Sequence, residues 1–304
     1  LLGQIHLAQG NSDAAITILD SARTISPNSL ARHRAIATVA EKMGDYERVE
    51  IALQQVIKKT RHSPLRETED FARLGNALTE SGKPEQAVAI IDEVCSAFKS
   101  DANHPLLAAV EAIAQHKMGN MAKAGEALTR AMQGDNAKLP SNVAMMVAKA
   151  CLTNGKQAEA ESILKIMVQS NPESKELHDQ ISTALRDHGA HHMADNLVAD
   201  SIREIIQLNN DAVRRGKAGE LAIAADMLTD AAHRLPGNVQ IVANASAALL
   251  YDILTNGLNP AKLRQAQVFQ QEVLAHSPTH TKLAEIGELM TKIRHKYTPT
   301  KPST

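Results

Sequence analysis

The chain has 304 residues, with 33 Lys and Arg against 34 Asp and Glu (a formal net charge of −1), and is only 2% aromatic with no Trp. Nucleic-acid binding calls for a basic face and, for single strands, aromatic platforms; neither is visible, and no stretch approaches the ~18 apolar residues of a membrane span. Hydrophobic residues make up 43%, so a core of Ala, Leu, Ile, Val and Met can run the whole length. Roughly one residue in six is Ala, which favours helices because it loses no side-chain entropy there and lets them approach closely.

A glycine recurs at Gly10, Gly44, Gly82, Gly119, Gly155, Gly189 and Gly219, at intervals of 30 to 38 residues. Five residues after each stand Ala15, Val49, Ala87, Ala124, Ala160, Ala194 and Ala224. Nine after stand Leu19, Leu53, Ile91, Leu128, Leu164, Val198 and Leu228, all aliphatic. Seven before stand Gly3, Ala37, Gly75, Ala112, Ala148, Ser182 and Ala212, all small. Each unit reads as helix A, a tight turn at the Gly, and helix B. The Gly supplies the φ > 0 backbone that ends helix A, and the small residues of A and B let the two pack closely. Pro27, Pro172 and Pro236 share one offset and end helix B, where no further N–H donor is needed. A lone pair cannot bury its apolar face, so neighbours must stack.

Taken in chain order, the first repeat opens Leu1-Leu2-Gly3 inside a helical pattern. We expect it to lack the start of its helix A and the chain to be part of a longer polypeptide. Repeats 2 to 6 run from about Asn28 to Gln207, with extra linker residues at Arg61–Arg66 and Lys99–Pro105. The short interval before Gly219 predicts that helix B of repeat 6 runs without a loop into helix A of repeat 7, from His191 to Lys217. Repeat 8 follows Leu235-Pro236-Gly237-Asn238, and Pro260 suits the first turn of a new helix. Lys282–Tyr297 reads as an amphipathic capping helix, and residues 298–304 as a disordered tail.

The run Gly3–Gly10–Ala15–Leu19–Ala22–Pro27, with Leu74–Gly75–Gly82–Ala87, resembles the tetratricopeptide (TPR) repeat over nearly the whole chain. The implied fold is all-α: a right-handed α–α superhelix (TPR solenoid) of about eight helix pairs plus a C-terminal cap, over residues 1–297. The chain departs from the pattern in lacking most helix-A aromatics and in placing Glu111 and Asp211 at expected apolar sites. Residues 204–250, with their LNN segment and RLPGN turn, and the closing KLAEIGELMTKIRHKY resemble TPR output regions of bacterial response regulators. The implied function is a non-catalytic protein-interaction scaffold in two-component signalling; the alternative is a TPR scaffold in cell-envelope assembly or polysaccharide export.

Chemistry-bearing residues are sparse. Asp187, His188, His191 and His192 flank the turn at Gly189 and Asp195 follows one helical turn on, but without HExxH, CxxC or a distant third ligand they read as a solvated turn, and no metal or cofactor is expected. His276 and His280 flank a Ser-Pro linker and read the same way. Cys95 and Cys151 lie in apolar patterns without an adjacent base, as buried small side chains of a reducing, cytoplasmic setting. No phosphate-binding glycine motif occurs, so no catalytic residue is expected.

What remains is the groove lined by the A helices, at ten, six and three residues before each turn Gly. These positions give Arg34, Thr38 and Glu41; Ala72, Asn76 and Thr79; Ala109, Ile113 and His116. Repeats 5 and 6 add Met145, Lys149, Leu152, Asp179, Thr183 and Arg186, and Asn209 and Asn244 extend the row. The candidate peptide-binding set is Arg34, Thr38, Asn76, Met145, Lys149, Thr183, Arg186, Asn209 and Asn244. Its amides suit an extended protein or peptide partner and Met145 suits varied surfaces. The Lys/Asn/Arg carboxylate clamp of some TPR domains is not found. The array ends are a candidate homodimer surface.

Overall fold

The computed structural model describes residues 2–25, 27–235 and 237–297; the expected tail at 298–304 and Pro236 lie outside them. Among the described residues there are α-helices and two short 3₁₀ turns, and no strand. In order the helices are α1 (Leu2–Ala8), α2 (Ser12–Ile25), α3 (Leu30–Met43), α4 (Tyr46–Thr60), α5 (Thr68–Glu80), α6 (Pro84–Ala97), α7 (Pro105–Lys117) and α8 (Met121–Ala131). Then come α9 (Ser141–Thr153), α10 (Gln157–Ser170), α11 (Lys175–Asp187), α12 (His191–Lys217), α13 (Leu221–Arg234), α14 (Val239–Asn256), α15 (Pro260–His276) and α16 (Lys282–Tyr297). The fold is all-α, an α–α solenoid of helix pairs as the repeat predicts, and the fused α12 and closing α16 have the expected bounds.

The turn glycines explain why the pairs form. All seven have positive φ, between 71° and 87°. In each, the residue after the Gly donates its N–H to a helix-A carbonyl five positions back: Asp45 to Ala40 at 2.9 Å, Lys83 to Leu78 at 2.8 Å, Glu220 to Arg215 at 3.0 Å. This is the Schellman closure, which satisfies carbonyls left open at the helix end and reverses the chain. Several helix starts are capped as well. Ser29, Asp45, Ser174 and Asn238 each accept a backbone N–H from three residues on, and Asn259 caps α15 ahead of Pro260.

The chain forms two compact units, Leu1–Asn136 with Pro140–Ala160, and Ala137–Leu139 with Glu161–Thr304. In the first, α1/α2, α3/α4, α5/α6 and α7/α8 pack as pairs, and α5, α7 and α9 lie side by side as A helices. The repeat positions form its core: Ala15, Val49, Ala87, Ala124 and Ala160 are wholly buried. A Cβ added at Gly75 would stand 3.1 Å from Val110 Cγ1 and 3.4 Å from Ile91 Cδ1. The smallness of that position therefore serves the large aliphatics of helix B and of the next repeat. The irregular Glu111 is also accounted for, since Arg130 Nη2 reaches its carboxylate at 2.8 Å.

In the second unit α11 packs on α12, α12 on α13, α14 on α15, and α16 covers α14. Its core gathers Leu228, Ile241, Leu250, Ile253, Phe269, Val273 and Ile286. Here small meets small: Ser182 Oγ donates to the Ala194 carbonyl at 3.5 Å, and Ser246 Oγ to the Ala266 carbonyl at 2.9 Å. Repeat 6 is the loosest, with Ser182 and Val198 only half-buried. The turn after α13 meets the end of α10. Asn238 Nδ2 donates to the Gln169 carbonyl at 2.9 Å, and a Cβ on Gly237 would stand 2.9 Å from the Ser170 carbonyl oxygen.

Candidate peptide-binding groove

The expected groove positions of the first unit are largely committed to holding neighbouring A helices together. Arg34 lies against Asp70, which is 1% exposed, with Nη2 to Oδ2 at 2.7 Å, and it also pairs with Glu67. Its hydrogen bonds to Asp70 raise the guanidinium pKa, against the opposing effect of burial. Thr38 accepts from Arg73, which also grips Glu41 at 2.8 Å. His116 Nδ1 meets Asn154 Oδ1 at 3.2 Å, while Ala72, Thr79, Ala109, Ile113 and Leu152 are buried. Asn76, Met145 and Lys149 are half-buried on α5 and α9.

In the second unit the expected positions divide between two places. On α11, Thr183 is exposed and donates to the Asp179 carbonyl, and Arg186 pairs with Asp195 at 3.1 Å across two solvent-exposed side chains. An exposed pair of this kind contributes little. That pairing also engages Asp195, one turn after His191, and among the described residues no group of three or more His, Cys, Asp or Glu could hold a metal ion. Asn209 and Asn244, by contrast, come together. Asn244 Nδ2 donates to Asn209 Oδ1 and its carbonyl oxygen accepts from Gln240 at 3.0 Å.

These two amides mark one end of a cavity of about 480 Å³. It lies between the second half of α12, α13, α14 and α16, and its floor is apolar: Ala212, Val213, Gly216, Leu221, Ala224, Leu228, Ala247 and Ala248. At the other end Tyr251, Lys282 and Glu285 form a rim. Tyr251 Oη donates to Glu285 at 2.9 Å, and Lys282 pairs with the same carboxylate at 3.0 Å. Burial pushes Glu285 upward, but the hydrogen bonds from Lys282 and Tyr251 outweigh it and hold its pKa below the ordinary range. The hydrogen bond to Glu285, reinforced by burial, raises the Tyr251 pKa. The rim is therefore a neutral phenol beside a compensated ion pair.

Of the candidate peptide-binding residues, only Asn209 and Asn244 lie on this cavity, while the repeat positions Ala212, Ala224 and Leu228 form part of its floor. Val213 and Gly216 stand six and three residues before Gly219, so the offsets used elsewhere find them too. Tyr251, Lys282 and Glu285 carry no such signal, because α14 runs without a break past the place where other repeats turn.

The cysteines are structural in their surroundings. Cys151 is fully buried, and burial pushes its thiol up to about 11; Cys95 is raised mainly by burial, and its Sγ contacts the Asp101 carbonyl. Among the described residues no helix is long and apolar enough to cross a membrane.

No family model and no curated protein matches the chain. Similar solved structures include a thermophilic TPR protein of Thermus thermophilus at 18% identity and TM-score 0.44, over 61% of this chain and 96% of that one. A tetratricopeptide repeat protein from Parabacteroides merdae aligns at 12% identity and TM-score 0.38, over 95% of this chain and 96% of that one. The type IV pilus biogenesis factor PilW aligns at 12% identity and TM-score 0.40, over 94% of each. At such identities and scores these likenesses carry no functional argument, and the repeat's own turns and packing define the helix pairs.

Proposed function

We propose that the chain is a non-catalytic protein-interaction scaffold whose binding surface is the cavity between α12, α13, α14 and α16. The observation that carries this is exposed apolar surface beside a ready-made concavity: Val213 is 46% and Tyr251 41% exposed on its walls. Apolar surface of this kind, rimmed by polar groups, marks an interaction site. We further infer, from the likeness of residues 204–250 to response-regulator output regions, that this scaffold serves a bacterial two-component signalling protein.

Two experiments test this. A photo-crosslinking residue at Val213 is expected to capture a protein in cells, whereas one at Val268 on α15 captures none. Equal capture at both positions, or none at either, contradicts the assignment. The coding sequence ahead of residue 1 tests the signalling role: a receiver domain supports it, and a signal peptide refutes it in favour of envelope assembly.

A further inference from the structure

The exposed apolar surface on α12 extends beyond the cavity. Ile206, 54% exposed, stands one helical turn before Asn209 and Asn210, with Val213 a further turn on and Gly216 and Lys217 after it. At 1.5 Å per residue this strip is about 16 Å long. Beside it Ala212, Gly216, Ala247 and Ala248 present almost no side-chain bulk, so another backbone can come close.

Hydrogen-bonding capacity decides what kind of chain fits. An extended segment spanning about 16 Å contains about five residues and so brings about ten backbone polar groups, which must be paired once they leave water. The groove can pair only a few of them, since its floor is apolar and the polar groups at its two ends, which keep a spare donor or acceptor site here and there, are already partnered. Asn244 has its oxygen engaged by Gln240 and its amide by Asn209. Glu285 is engaged by both Tyr251 and Lys282. A helix arrives with its backbone bonds already made and offers only side chains, which this floor accepts.

Charge fixes the other requirement. Arg214 is paired with Asp211, Arg215 with Glu220 and Lys282 with Glu285. Lys217, exposed at the end of α12 and on the groove wall, has no ion-pair partner among the described residues. The groove therefore has one uncompensated positive charge at the end of an apolar track.

Resting on the scaffold reading, we propose that this groove takes an amphipathic α-helix of a partner protein. That helix lays small-to-medium aliphatic residues spaced i, i+3/i+4, i+7 along Ile206–Gly216 and sets an Asp or Glu against Lys217.

The test is a display selection on the full chain, from random peptides about five helical turns long. Enriched peptides are expected to carry that aliphatic spacing with an acidic residue beyond it, and to become helical on binding. Val213→Arg and Lys217→Glu are each expected to weaken them at least about tenfold. Exchanging the peptide's acidic residue for Lys is expected to restore binding to Lys217→Glu. Should Val213→Arg fail to fold, the charge exchange at exposed Lys217 still decides. Proline-containing or alternating, extended binders overturn the helical class. Binders indifferent to both variants overturn the groove while leaving the scaffold reading intact, and no binders at all count against both. A dimer of the chain alone that Val213→Arg dissolves assigns the groove to a second copy and overturns the partner helix.

Discussion

Replacing Gly82 by Ala and Gly125 by Ala makes the same chemical change twice in one compact unit, yet the two should have opposite effects. Gly82 has φ +74° at a Schellman turn, and a Cβ there would meet nothing within 4 Å. No clash contributes, so the cost is the left-handed backbone itself, about 1–2 kcal/mol. Gly125 lies exposed inside α8 with no neighbour within 4 Å and no positive φ. There Ala removes a helix-interior glycine and should stabilise by about 1 kcal/mol. Gly75→Ala adds a third sign test. The same gain in helix propensity is opposed by a Cβ 3.1 Å from Val110 Cγ1, and overpacking of about 1–3 kcal/mol makes the net change neutral to destabilising. Urea unfolding followed by far-ultraviolet circular dichroism reads all three, with the Gly82 and Gly125 variants separated by about 2–3 kcal/mol. If both shift the midpoint in one direction, the left-handed turn is not what closes each helix pair.

Three further outcomes follow from buried polar groups. Lys262→Met leaves Asp252, whose side chain is 6% exposed, without its cation; a loss of about 3 kcal/mol is expected, largely recovered by adding Asp252→Leu, as a double-mutant cycle on thermal unfolding would measure. For Asp101 burial raises the pKa, but the hydrogen bond and charge of Arg66, with Ser100 and Thr68, bring it below the ordinary value. Its contribution is thus complete above the unfolded aspartate pKa of about 3.9 and disappears as pH falls through the lower folded value. The stability gap between the parent and Asp101→Asn should therefore close in acid; a gap that widens contradicts the pairing. Cys151, with its thiol at about 11, has about one thousandth as thiolate at pH 8 and should resist a disulfide reagent until the chain unfolds. Rapid labelling of the folded chain refutes its burial.

The local architecture was legible because its constraints are local. A Schellman turn needs one residue with φ > 0 at a fixed place, so glycine writes each pair into the sequence at the same register. The uninterrupted α12 was legible for the same reason: a 30-residue interval leaves no room for a loop, and Pro260 announced α15 by the same kind of backbone rule. The use of each groove residue was not legible, because it depends on residues a repeat away. Arg34 reads as a groove cation until Asp70 is seen behind it, and Thr38 as a free hydroxyl until Arg73 reaches over. Asn209 and Asn244 read as donors for a peptide backbone; paired across 35 residues, they leave an apolar floor instead. Tyr251 and Glu285 belong to helices outside the regular period, where counting from a glycine has no starting point.

Hydrogen exchange on the full chain, with and without a helix-forming peptide from the selection, tests the central claim most directly. Slowed exchange is predicted along residues 206–217 and 244–251 and at the start of α16, with α15 and the first unit unchanged. Protection on α15 or on the A helices of the first unit instead would place the binding surface elsewhere and contradict the account.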